Sequence, residues 1–245
     1  MASRPIVAGA QAPNERLFFT GMAITMLVVV FAGFARSFYL HAFFSDWHRP
    51  AEQIFYVHGT VFSAWMLLLV AQVSLVMSGR RDVHRKLGVA GAVLAALLVV
   101  LGTIAALTAA RRPTGFVDVP VPPLQFLAIP LFGIAQFALF AALAVAWRRD
   151  LQAHKRLMVL ATIMLCGAAV ARLPLVSNWG PLGYFGVTDL LLVPLVVWDL
   201  RTRGPLHPVT LWGGLLVIAL EPLQLMISGT EGWLAFARWA TGLLG

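Results

Sequence analysis

Seven apolar runs, each close to the length needed to cross a bilayer, occupy most of this 245-residue chain. They are Leu17–Leu40, Phe55–Met77, Leu87–Ala109, Leu124–Trp147, Leu157–Val176, Leu182–Trp198 and Val209–Ile227. A helix needs about 20 such residues to span hydrocarbon. Inside lipid a segment must satisfy its own backbone hydrogen bonds, which a helix does alone. The runs therefore predict an all-α polytopic bundle, one integral membrane domain over residues 1–245. The loops between them are short and leave no room for a soluble domain. Composition agrees: 11% of residues are charged, against about 25% in an ordinary soluble domain.

The first run exceeds the roughly 7–15 apolar residues of a signal-peptide core, so it is expected to persist as a helix. The single Cys166 lies inside the fifth run. That excludes disulfides, cysteine metal clusters and CxxC redox chemistry within one chain.

A formal charge of +8 would suggest nucleic acid in a soluble protein. Here it reads as topology, and no nucleic-acid partner is expected. With the amino terminus inside, twelve of the 18 Lys and Arg residues fall on the inner side. These include Arg4, Arg201, Arg203 and both basic loops described next; Arg36, Arg49, Arg111, Arg112, Arg172 and Arg238 fall outside. The positive-inside rule then places the carboxyl terminus outside and the two basic loops in the cytoplasm, with the lipid bilayer as the chain's first partner.

The two basic loops are near copies. Arg80-Arg81-Asp82-Val83-His84-Arg85-Lys86-Leu87 joins the second and third runs. Arg148-Arg149-Asp150-Leu151-Gln152-Ala153-His154-Lys155-Arg156-Leu157 joins the fourth and fifth. Each reads Arg-Arg-Asp, a spacer of one or three residues, then His, two basic residues and Leu. Each is the turn of a transmembrane hairpin, and two such hairpins side by side predict a four-helix core with a histidine-bearing cytoplasmic mouth. Duplication and convergence on a basic loop explain the likeness equally well; ligands often sit between membrane repeats.

His84 and His154 begin helices, where the helix dipole and flanking cations favour anions. A phosphate head group, haem propionates or a quinone carbonyl would suit. Positive-inside bias accounts for the Arg and Lys but not for histidines at matched places. Bis-histidine haem needs two neutral imidazoles on facing helices. His84 with His154 is the natural pair of iron ligands, and His58 with His41 a looser outer one. A lone histidine is more often structural than a ligand.

On the second helix His58, Trp65 and Gln72 are spaced by seven and stand nearly in line. Gly88 and Gly91 on the third permit close helix contact. The fourth carries Pro130 and, near mid-membrane, Gln136. Four prolines between Arg111 and Pro123 make that outer loop, with Asp118, irregular. Trp47 and Tyr39 suit an interfacial belt, as does the tail with Trp233, Arg238 and Trp239.

Ionisable groups at membrane depth cost about 2.5–3.5 kcal/mol each on insertion scales. Four stand within apolar runs: His58, Arg172, Asp189 and Glu221. All belong to the outer half, with Arg36 and His41 at a similar level. One reading is an outward-open polar site, Arg172 facing Asp189 or Glu221, with His58 as ligand or proton carrier. The other is ion pairing that locks helices, with Arg172 snorkelling to the surface. Glu221, two-thirds along its helix, is the hardest charge to explain as packing.

Some chemistries are excluded. Lys86 and Lys155 are the only lysines and both are on the hairpin side, so no retinal Schiff base forms in mid-membrane. There is no HExxH, no histidine box, no Walker A loop and no GxGxxG.

The segments His58-Gly59-Thr60-Val61-Phe62-Ser63-Ala64-Trp65, His84-Arg85-Lys86-Leu87-Gly88 and His154-Lys155-Arg156-Leu157-Met158 resemble a family of uncharacterised bacterial multi-pass inner-membrane proteins. The resemblance covers the first to the seventh helix and implies the fold, not a mechanism. A remoter likeness, in helix count and histidine placement, is to bis-histidine b-type membrane cytochromes; those bury their ligands deeper. Three functions stay open: a redox protein holding haem b or, second, a quinone; a proton-coupled carrier or channel; an assembly subunit bound to a membrane partner or to its own copies. Whether the chain is an enzyme stays open with them.

Overall fold

A computed structural model of the chain describes residues 13–44, 51–116 and 119–244. Arg4, Asp46, Trp47, Arg49 and Asp118 lie outside the described residues. Among the described residues the chain is helical, without a strand.

Among the described residues seven helical stretches are long and apolar enough to cross a membrane. The first is α1 (Pro13–Phe34), continued by a π-helical turn, Ala35–Tyr39. Next come α2 (Gln53–Met77) and α3 (Arg81–Arg111), then a four-residue helix α4 (Pro123–Phe126) leading into α5 (Ala128–Ala146). They are followed by α6 (Leu151–Val170), α7 (Gly180–Asp189) with α8 (Val193–Arg203), and α9 (Pro208–Ser228). The chain closes with α10 (Glu231–Gly242).

The sixth span departs from the single helix expected over Leu182–Trp198. It breaks at Leu190–Leu192 into the half-helices α7 and α8. Pro194 sits in the first turn of α8, where its missing N–H costs nothing but its ring bars a helix from running through.

The two hairpins, α2–α3 and α5–α6, meet along α3 and α5. They do not close a four-helix core by themselves, because α1 packs against both α2 and α6 on the other flank. α6 also touches α7 and α9. It is therefore the central helix: 61% of its apolar window is buried, against 22–39% in the other spans.

Small residues let α6 be surrounded so tightly. A Cβ on Gly33 would fall 2.2 Å from the Ala169 carbonyl oxygen, and one on Gly213 2.4 Å from Leu160 Cδ1. Gly91 makes the close α2–α3 contact expected of it, with only 3.3 Å from its Cβ position to Leu68. At the far end of that hairpin Arg112 forks onto Glu52 at 2.8 and 3.1 Å and covers the Phe55 ring. The tail forms α10, packed on α4 and α3: Trp233 donates 2.8 Å to the Leu124 carbonyl, and Trp239 is exposed.

Candidate functional site

The hairpin face brings the two matched histidines together beside a buried ion pair. α3 begins at Arg81 and α6 at Leu151, so His84 and His154 are each the fourth residue of their helix despite unequal spacers. Both thus lie a turn inside their helices, which begin earlier than the apolar runs do. Their rings face each other across α3 and α6, centroids 6.4 Å apart and planes nearly perpendicular.

Each imidazole has one nitrogen committed. His154 Nδ1 lies 2.8 Å from the Ala144 carbonyl, one of the last-turn carbonyls of α5 that no helical N–H reaches. A carbonyl only accepts, so Nδ1 carries the proton and Nε2 keeps its lone pair. At His84 the partner is Gln72. Its amide is oriented by three contacts: nitrogen 2.7 Å from His84 Nδ1 and 3.2 Å from the His84 carbonyl, oxygen accepting from Gly88 N at 3.0 Å. His84 Nδ1 therefore accepts, and the proton of its neutral form is on Nε2. The pair presents one N–H and one lone pair.

This asymmetry bears on the two cofactors. A haem iron takes a lone pair from each axial imidazole; His154 Nε2 supplies one, and His84 does not while Gln72 donates to its Nδ1. A quinone carbonyl needs a donor and a quinol hydroxyl also needs an acceptor; the pair has one of each.

Beside the histidines runs a polar network absent from the sequence reading. Arg156, a cation of the second basic loop in the sequence, is 1% exposed, and Asp199, just past the sixth apolar run, is 0% exposed. The Arg156 guanidinium is bonded to Asp199 through Nε and Nη2, and through Nη1 to the Gln152 carbonyl (2.9 Å) and side-chain oxygen (2.6 Å). Asp199 also accepts from Thr210 Oγ1 at 2.5 Å and from the His207 amide at 3.1 Å. Glu15 pairs with Lys155 and accepts from Gln152 at 3.2 Å. The network ties α1, α6, α8 and α9 together and leaves Arg156 and Asp199 little capacity for a ligand. Its one sequence signal was Asp199 itself, a lone acid between an apolar run and two arginines.

An open cleft of about 540 Å³ borders it, lined by Trp147, Arg149, Asp150 and His207 among others. Asp150 caps α6, and the bonds from the Ala153 and Gln152 amides hold its carboxyl below the usual range. His207 caps α9 by accepting from Val209 N at 3.1 Å. Burial and the Arg156 and Arg203 cations push its imidazole below the usual value.

The remaining predicted residues are spread along the interior and the opposite face. Trp65 is buried, edge-on to Phe137, with its indole nitrogen 3.4 Å from Thr162. His58 sits near Gly102 and Phe62, its Nδ1 buried without a partner among the described residues. Gln136 is buried and donates to the Phe132 carbonyl at 3.3 Å. Arg36 stands over the Phe44 ring from the π-helical turn, and His41 opens the short turn His41–Phe43.

Of the two readings of Arg172, facing the acids or reaching the surface, its exposed position suits the second: it donates 2.6 Å to the Ala168 carbonyl and covers the Phe34 ring, with His58 among its electrostatic neighbours. Asp189 and Glu221 face each other within hydrogen-bonding reach. No family model, no curated protein and no solved structure matches this chain.

Proposed function

We propose that this integral membrane protein is a redox protein that holds the polar head of a quinone between His84 and His154. The observation that carries the reading is the juxtaposition of those rings, 6.4 Å apart, with opposite free valences set by Gln72 and Ala144. A quinone oxygen accepts from His84 Nε2–H; the hydroxyl of a quinol donates to His154 Nε2. Reduction of a quinone takes two electrons and two protons. The histidines serve the proton side, and the electrons come from a redox partner in the membrane. The basic turns beside them draw in semiquinone and quinol anions.

The neighbouring Arg156–Asp199 network supports the reading indirectly. Its groups are satisfied by one another, so it holds α6 in place beside the site without competing for the ligand.

The test is organic extraction of the purified, detergent-solubilised protein, with the quinone content read by chromatography, alongside absorption spectra before and after dithionite. A quinone near stoichiometric with protein, lost in His84→Ala and in His154→Ala, bears the proposal out. A Soret band lost in the same variants would replace the quinone by haem b. Neither chromophore nor quinone, from cells replete in both, would overturn the redox reading.

A further inference from the structure

A second polar constellation lies at the break in the sixth span, remote in sequence from the histidine pair and independent of it. Asp189 is the last residue of the half-helix α7. Glu221 stands in α9, immediately before Pro222, the proline inside that helix. Their carboxyl groups are within hydrogen-bonding reach of each other, yet each carboxylate oxygen is an acceptor only. A bond between two carboxyls therefore requires a proton between them.

Three further observations point to a positive ligand there. The carboxyl end of α7 brings the negative pole of its dipole to Asp189. Tyr184, on α7, is 7% exposed in a cluster against which Leu225 of α9 packs, with its hydroxyl unpartnered among the described residues. Gln224, one turn beyond Glu221 and 3% exposed, likewise has an unpartnered side-chain oxygen, as does Asp189 at Oδ1.

The backbone is loosened at the same place. Three-residue turns, Leu191 N to Thr188 O and Leu192 N to Asp189 O, replace the helical pattern at the break. Pro222 has no N–H to offer the preceding turn of α9. Broken spans whose half-helix ends meet mid-membrane are where cations and protons are held in many transport folds.

We propose that Asp189 and Glu221 form a proton-binding site at the joint of the sixth span, occupied by one proton shared between the two carboxyls. Loss of that proton leaves two like charges in contact in a medium of low dielectric, and the α7–α9 contact opens at the joint. The ionisable groups around the pair are few. Tyr184 on α7 has Glu221 among its electrostatic neighbours. α6 carries Cys166 in its buried half, with Arg172 just past its end turned to Ala168 and Phe34. α10 carries Glu231 and Arg238, and neither α4 nor α5 has an ionisable residue.

The experiment is infrared difference spectroscopy of the full-length protein in lipid, titrated with acid and base, in H2O and D2O. The expected result is a carboxylic-acid C=O band at neutral pH that shifts in D2O and bleaches on alkalinisation. It should be lost in Glu221→Gln and in Asp189→Asn, both close in shape to the native residues. Should one variant fail to fold, the other variant and the wild-type titration still decide. The proposal is overturned by the absence of such a band, by its persistence in a folded variant, or by its bleaching on addition of sodium ions at constant pH, which would make the pair a metal-cation site.

Discussion

Arg156 and Asp199, 43 residues apart in the chain, are sealed together at 1% and 0% exposure on the hairpin side of the molecule. A buried pair with its remaining valences filled by Gln152, Thr210 and the His207 amide is a fastener. It fixes α6 to α8 and α9, and Lys155 with Glu15 extends the hold to α1.

Removing one partner strands the other charge. Asp199→Ala or Arg156→Ala should destabilise the protein by about 3–5 kcal/mol, the usual penalty for an uncompensated buried charge. The double variant Arg156→Met with Asp199→Leu should recover much of that loss. Thermal unfolding in detergent checks both; equal damage from the single and double changes would show that the pair is not the fastener described.

Gln72 sets the protonation of the His84 ring without touching the space between the histidines. Gln72→Leu removes the donor to His84 Nδ1 and should weaken quinone binding about 2–10-fold, the free energy of one neutral hydrogen bond. Unfolding temperature should move little, since Gln72 is only half-buried. Binding curves with a soluble short-chain quinone read the effect.

The α1–α6 crossing depends on a missing side chain. A Cβ at Gly33 would lie 2.2 Å from the Ala169 carbonyl oxygen, and backbone cannot swing aside as a side-chain tip can. Gly33→Ala should cost about 1–3 kcal/mol, as overpacking does in other cores. Gly21, whose Cβ position has open space within 4 Å, is the control: Gly21→Ala should leave the unfolding temperature unchanged or slightly raised.

His207 gives stability a pH dependence of defined sign. Burial and two nearby cations hold its imidazole below the ordinary histidine value, so the unfolded chain binds its proton more readily than the folded one. Its contribution is complete above about pH 6.5 and is lost as pH falls from there toward the lower folded value. His207→Asn keeps a side chain able to cap α9 and does not titrate. It should flatten the pH dependence of unfolding in this window, while the Asp150 contribution, lost only as pH falls below the ordinary carboxylate value of about 4, remains.

The architecture was legible in the sequence because transmembrane length and the demand for backbone hydrogen bonds leave a chain with seven apolar runs little choice. The matched histidines were legible too, as a repeat flanked by apolar runs, and the structure sets them ring to ring. Glu221 stood out because a carboxyl two-thirds along an apolar helix has no simple packing role.

What the sequence did not contain is which polar groups meet. Periodicity gives the face a residue occupies but not the helix opposite. Arg156 therefore reads as one more loop cation until α8 brings Asp199 to it, and nothing in either helix alone sets Asp189 against Glu221. The place of α1 between the two hairpins, the break at Leu190–Leu192 and the tautomers of His84 and His154 likewise depend on contacts between residues far apart in the chain. Those contacts are decided by packing around α6, where every neighbour is chosen by how closely its backbone can approach.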